Sequence, residues 1–272
     1  MTDNTAQTDR RAIESLMGFW SDAGVDACYE DEAVDRTRRP PPPVRPAAAA
    51  ATERRAADAP VVAPDVSAAI AEARALAAGA NDLAALEAAI AGFDGCGLKF
   101  QGARQAVFSR GVADAPVVVV GEGPGGDEDA QGAPFVGRAG QLLDRMLEAA
   151  GLKDRVFITN TVFWRPPGNR TPSPAEQSIC APFLEKALLL VRPKVLLMVG
   201  GASSKSMLKR DEGILSLRGR WFEWRSEDGS LILPALPTLH PAFLLRQPAA
   251  KKKAWSDLLT LTERLDRPER PA

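Results

Sequence analysis

The sequence predicts an α/β protein, a three-layer α/β/α sandwich around a central, mainly parallel four-stranded sheet. Two observations carry this. Four short apolar runs, VVVVG (117–121), VFITN (156–160), KVLLMVG (194–200) and ILPALPT (232–238), alternate with helical patterns near 138–151, 174–191, 201–209 and 249–265. Runs apolar on both faces belong in the middle of a sheet covered by helices on each side. Repeated β–α alternation then argues for parallel strands. The helix at 174 has a strong start signal: Ser173-Pro174-Ala175-Glu176 is a capping box with proline at the first helical position.

Upstream of these runs the texture differs. Residues 10–27 can form a short amphipathic helix, with Ile13, Leu16, Met17 and Trp20 at helical spacing. A Pro/Ala-rich stretch over 36–64 has no periodicity and nothing to build a core, which reads as a disordered or semi-rigid linker. Two helices are expected at about 66–78 and 82–92, with Asn81 as a cap after the Gly79–Asp82 break. The organisation expected is a helical segment over 1–35, a linker over 36–64, accessory helices over 65–95 and a catalytic domain over 96–266.

Composition bounds the function. The 272 residues are 45% hydrophobic, normal for a globular protein. No apolar run reaches the length of a membrane span, and MTDNTAQTDRR lacks a signal-peptide pattern. The three cysteines, Cys28, Cys96 and Cys180, form no CxxC pair, so a reducing cytoplasm is expected. The net charge of −1 hides an asymmetry: residues 1–95 hold 9 Lys and Arg against 16 Asp and Glu, and residues 96–272 hold 25 against 19. The part carrying the strands is therefore basic, which is compatible with a nucleic-acid partner.

In open parallel sheets, ligands bind beyond the carboxyl ends of the strands. That rule selects Gly121–Gly126, Asn160–Arg170, Gly200–Ser204 and Thr238–Arg246. The first contains Gly121-x-Gly123-x-x-Gly126, a match to the dinucleotide fingerprint, but Pro124 has no amide for a pyrophosphate and interrupts the expected helix entry. The second strand ends in Thr159-Asn160 rather than in the acidic residue a ribose would need.

With their neighbours, these stretches say more. GEGPGGDEDAQGAPFVGRAGQLLDRML, ITNTVFWRPPGNRTPSPAE and HPAFLLRQP closely resemble the ordered motifs of family 4 uracil-DNA glycosylases, and the resemblance covers about 93–260. It implies base-excision repair: hydrolysis of the N-glycosidic bond of deoxyuridine in DNA, leaving an abasic site. Such a site must extrude the nucleotide, read its edge and stabilise the departing uracil anion. The resemblance gives Asn160 the base edge, Phe135 the stacking surface, and His240, the chain's single histidine, donation to uracil O2 as charge develops. Glu122, with the backbone of Gly121 and Gly123, would line the pocket and position water, a role Glu128 and Asp129 could share. Leu244, Leu245 and Arg246 look like a wedge filling the gap left by the extruded base. Arg165, Arg170, Lys251–Lys253 and the amides after Gly200-Gly201 are candidate phosphate contacts.

Most family 4 members hold a [4Fe–4S] cluster on four cysteines. Here Phe93 and Trp164 stand where the first and third should be, and Cys96 and Cys180 match the second and fourth. Two thiolates cannot hold the cluster as four do, so no cluster and no other metal are expected. The further expectations are a monomer in the cytoplasm, associated with the nucleoid, and a protein partner for the N-terminal helix. The alternative is a protein that binds uracil-containing DNA without turnover or is trapped on it. Trapping in some relatives uses a histidine in an insertion after APFVG, and PFVGRAGQLL has neither.

Overall fold

The computed structural model of the chain describes residues 66–266. The expected helix over 10–27 and the linker over 36–64 lie outside the described residues. Helices α1 (Val66–Gly79) and α2 (Leu83–Gly92) come first. Asp82, not Asn81, caps α2: its backbone is extended and its carboxylate accepts from Ala85 N at 2.7 Å. Ala85 is the third residue of the helix, where a capping oxygen meets a free amide.

The four apolar runs form β2 (Val117–Gly121), β3 (Val156–Asn160), β4 (Val195–Val199) and β6 (Ile232–Thr238), all mutually parallel. The sheet is wider than four strands. Two short strands, β1 (Ser109–Gly111) and β5 (Phe222–Arg225), add antiparallel edges, giving six in the order β1-β3-β2-β4-β6-β5. Both are only partly buried, and their sequences, SRG and FEWR, lack the continuous apolar character that marks inner strands. A short, charged edge resists pairing with another chain.

Alternate residues of each inner strand face opposite ways. Val118, Val120, Leu196, Met198 and Ala235 pack with α1, α2 and α5 (Pro174–Val191). Val117, Val119, Ile158, Leu197 and Leu236 pack with α4 (Arg138–Ala149) and α9 (Lys251–Asp266). The helices upstream of residue 96 thus contribute Ala69, Ala73, Leu86 and Ile90 to the same cluster as one sheet face. The capping box forms as expected, with Ser173 Oγ accepting from Glu176 N at 3.2 Å and Glu176 accepting from Ser173 N at 2.7 Å.

Four short helices complete the strand exits: α3 (Gly126–Gln131), α6 (Gly201–Leu208), α7 (Ile214–Leu217) and α8 (Pro241–Arg246). Pro124 stands ahead of helix α3, which starts two residues later, where Glu128 reaches back to accept from Gly125 N at 3.1 Å.

Candidate functional site

The site grows from one pair of neighbouring strand ends. The β2–β3 register sets Gly121 beside Asn160 at the carboxyl edge of the sheet. A Cβ on Gly121 would overlap Asn160 Oδ1 and stand 2.5 Å from the Phe135 ring. Only a bare α-carbon lets both side chains come this close. Asn160 is almost fully buried, yet no hydrogen bond from the described residues occupies its carboxamide. That carboxamide lines a cavity of about 530 Å³, together with Glu122, Gly123, Phe135, Arg170, His240 and Arg246. Pro172, Ala139 and Phe243 also line it, and no motif residue type singled them out in the sequence.

Phe135 sits in the left-handed region at φ 56°. Such a conformation costs a non-glycine residue on the order of 1–3 kcal/mol and persists only when its surroundings impose it. The surroundings do. Arg110 donates from Nε to Pro134 O at 2.7 Å and from Nη2 to Phe135 O at 3.1 Å. On the other side, Glu128 Oε1 accepts from Val136 N and Gly137 N, each at 3.0 Å. Both carboxylate oxygens of Glu128 are therefore committed to backbone amides. Asp129 is buried and accepts from Arg104 N at 2.8 Å. Glu128 nevertheless lines the cavity, whereas Asp129 does not. Glu122 lines the cavity with its carboxylate unpaired among the described residues.

His240 caps α8: its Nδ1 accepts from Ala242 N at 3.1 Å. An accepting Nδ1 leaves the proton of a neutral imidazole on Nε2. The ring lies 5.7 Å from the Phe135 ring, centroid to centroid, tilted by 31°. Burial first, then the nearby Arg246 charge, lower its pKa to about 4, against an opposing pull from Glu128. His240 is thus a neutral Nε2–H donor at neutral pH.

The strand leading to His240 is tied down from below. Thr238 Oγ1 donates to Asp257 Oδ2 at 2.7 Å, and Arg218 forks onto both oxygens of the same carboxylate. Asp257 is buried on α9, where desolvation raises its pKa, while Thr238 and Arg218 favour its charged form. Gly200, at φ 99°, packs its α-carbon beside the His240 side chain.

The proposed wedge needs one correction. Leu244 is fully buried with Leu142, Leu239 and Ala254, so it cannot reach DNA from this conformation. It faces the core because α8 is one and a half turns long and presents that side to α4. Leu245 is partly exposed and Arg246 exposed. Arg170 is exposed and paired with Glu176, and Arg165 donates to Asn169 Oδ1 at 2.7 Å beside Gly126. Lys251–Lys253 are exposed at the start of α9.

Where the resemblance implies a cluster, the residues do not fit one. Phe93, Trp164, Cys96 and Cys180 are all buried. The Phe93 ring lies 6.4 Å from Trp164 and 5.2 Å from Phe183, so aromatic packing fills the space of two ligands. The two thiols hydrogen-bond to each other, a bond that lowers the pKa of Cys96 and, together with burial, raises that of Cys180.

The state of His240 is directly measurable, since the chain has one histidine. NMR titration of the folded protein should give a midpoint near 4 in place of the ordinary 6.5. Because the folded state refuses a proton that the unfolded chain would take, this group's stabilisation is complete above about pH 6.5 and fades as pH falls toward 4. A midpoint at 6.5 would mean that the ring is solvated and mobile.

The comparisons agree with one another. A family model for the Uracil DNA glycosylase superfamily matches residues 108–259. The chain is 37% identical over 171 residues to the type-4 uracil-DNA glycosylase of Sulfurisphaera tokodaii, covering 61% of this chain and 77% of that one. Over 142 residues it is 39% identical to the type-4 enzyme of Thermotoga maritima, covering 52% of this chain and 71% of that one. With the type-4 enzyme of Pyrobaculum aerophilum it shares 37% identity over 183 residues, 65% of this chain and 91% of the relative. With Phe135, Asn160 and His240 lining one cavity within the matched residues, the chain belongs to the uracil-DNA glycosylase superfamily, in its type-4 family.

Proposed function

We propose that this chain excises uracil from DNA by hydrolysing the N-glycosidic bond, the first step of base-excision repair. The observation that carries the reading is a neutral His240, its proton on Nε2, across from Phe135 in a cavity that Asn160 lines. Breaking the C1′–N1 bond leaves positive charge on the sugar and negative charge on uracil. A neutral imidazole donor aimed at O2 stabilises that anion as it forms and surrenders no proton to solvent beforehand. Phe135 stacks on the extruded ring. The Asn160 carboxamide accepts from N3–H and donates to O4, the reverse of what cytosine presents. Glu122, the unpaired cavity carboxylate, orients water toward C1′. Leu245 and Arg246 fill the vacated stack, and Arg165, Arg170 and Lys251–Lys253 meet phosphates. In the same proposal the enzyme is a monomer with helices layered on both sheet faces, acts in the cytoplasm on nucleoid DNA, and uses residues 10–27 to dock a protein partner.

The test is a uracil-containing oligonucleotide treated with alkali after incubation. Cleavage at uracil marks an abasic product, while a retarded band under denaturing conditions or no change would contradict turnover. His240→Ala should slow single-turnover excision roughly 10²–10³-fold with DNA affinity little changed. Equal losses in rate and affinity would make His240 a structural residue of its loop.

The enzyme of this proposal works without an iron–sulfur cluster, since its chain supplies two of the four thiols and fills the rest with Phe93 and Trp164. Protein purified anaerobically should be colourless and carry no stoichiometric iron by elemental analysis. About four irons per chain would contradict this, as four sulfur ligands are the norm for such clusters.

A further inference from the structure

Arg110 lies on the edge strand β1, whose pairing with β3 sets it beside Ile158, two residues before Asn160. It belongs to none of the three motifs and does not line the cavity. Its guanidinium nevertheless makes three hydrogen bonds, two to the loop that carries Phe135, Nε to Pro134 O at 2.7 Å and Nη2 to Phe135 O at 3.1 Å, and one to helix α4, Nη2 to Asp144 Oδ1 at 2.6 Å. The side chain is about three-quarters buried while its partner Asp144 is half exposed, so the ion pair orients the guanidinium more than it anchors the fold.

The carbonyl it grips is the one that defines the backbone turn at Phe135. That residue is left-handed, at φ 56°, and its carbonyl oxygen lies where a Cβ on Gly140 would have to be. Among the described residues, three others have positive φ without being glycine: Asn169, Arg192 and Lys209. Arg192 and Lys209 are helix C-caps, where local hydrogen bonding provides the conformation. Phe135 ends no helix. Its strained turn is imposed from outside, by Arg110 on the carbonyl side and Glu128 on the following amides. An extended Phe135 would swing the ring away from Gly121 and His240, and the cavity would lose one wall.

We propose that Arg110 is a positioning residue for uracil excision, forcing Phe135 into the left-handed turn that presents its ring to the extruded base, with Asp144 orienting the guanidinium. This rests on the reading of Phe135 as the stacking surface. A planar fork is required because two successive carbonyls are gripped at once, which an ammonium cannot match in geometry.

The test is a double-mutant cycle in single-turnover excision, with the full-length chain and a uracil-containing duplex. Arg110→Met should lower the maximal rate about tenfold, and the enzyme concentration giving half that rate should change less than about twofold. In a Phe135→Ala background the same substitution should cost less than about twofold, because the ring it positions is gone. If Arg110→Met fails to fold by circular dichroism, Arg110→Lys enters the same cycle, with the same pattern expected at smaller amplitude. Equal losses in both backgrounds would overturn the proposal and leave the stacking role of Phe135 standing. A Phe135→Ala variant that excises at the wild-type rate would overturn both.

Discussion

Everything in the site depends on one missing side chain. Gly121 ends the central strand β2, and its bare α-carbon is where the Asn160 carboxamide and the Phe135 ring meet. Asn160 comes from the neighbouring strand and Phe135 from a loop fourteen residues downstream, and both must touch the same point. A methyl there would overlap the carboxamide oxygen and crowd the ring. The rest of the architecture serves to hold that convergence. Strands β2 and β3 are buried along their whole length and paired in one register, so Gly121 and Asn160 have no freedom to slide.

Around that rigid centre, charged residues are spent on backbone geometry and few are left for chemistry. Glu128 holds three amides of the loop, Asp129 holds Arg104 N, Arg110 holds two carbonyls, and Asp257 fixes Thr238. Such groups lose hydration when buried and are held there by the hydrogen bonds they make. The consequence is a cavity whose groups left unpaired for a ligand include the Asn160 carboxamide, the Glu122 carboxylate and one neutral imidazole. Preorganised donors of this kind need little rearrangement when charge develops on a leaving group.

Much of this was legible in the sequence, and the exceptions follow a pattern. The inner strands announced themselves because burial on both faces demands unbroken apolar runs. Asn160 and His240 stood out because chemistry sits at strand carboxyl ends. Strands β1 and β5 were invisible because edge strands are short and half polar. Arg110 was missed for the same reason, since its partners are carbonyls twenty-four and twenty-five residues away, which no spacing reveals. Glu128 was legible as a carboxylate near the site but not as one already engaged, and Leu244 as a hydrophobe in the last motif but not as one facing α4. Phe93 and Trp164 illustrate the opposite case. Large aromatics at the positions where the resemblance implies ligand cysteines signal filled space, and the rings pack into one cluster with Phe183.

The central claim is that catalysis requires the close approach at Gly121. Gly121→Ala tests it with a single added carbon. Overpacking of this kind costs about 1–3 kcal/mol, so the variant should still fold with a modestly lowered denaturation midpoint. Its single-turnover excision of uracil should nevertheless fall about 10²-fold or more, because displacing a positioned group by about an ångström costs that much. A folded Gly121→Ala enzyme excising uracil at the wild-type rate would contradict the account.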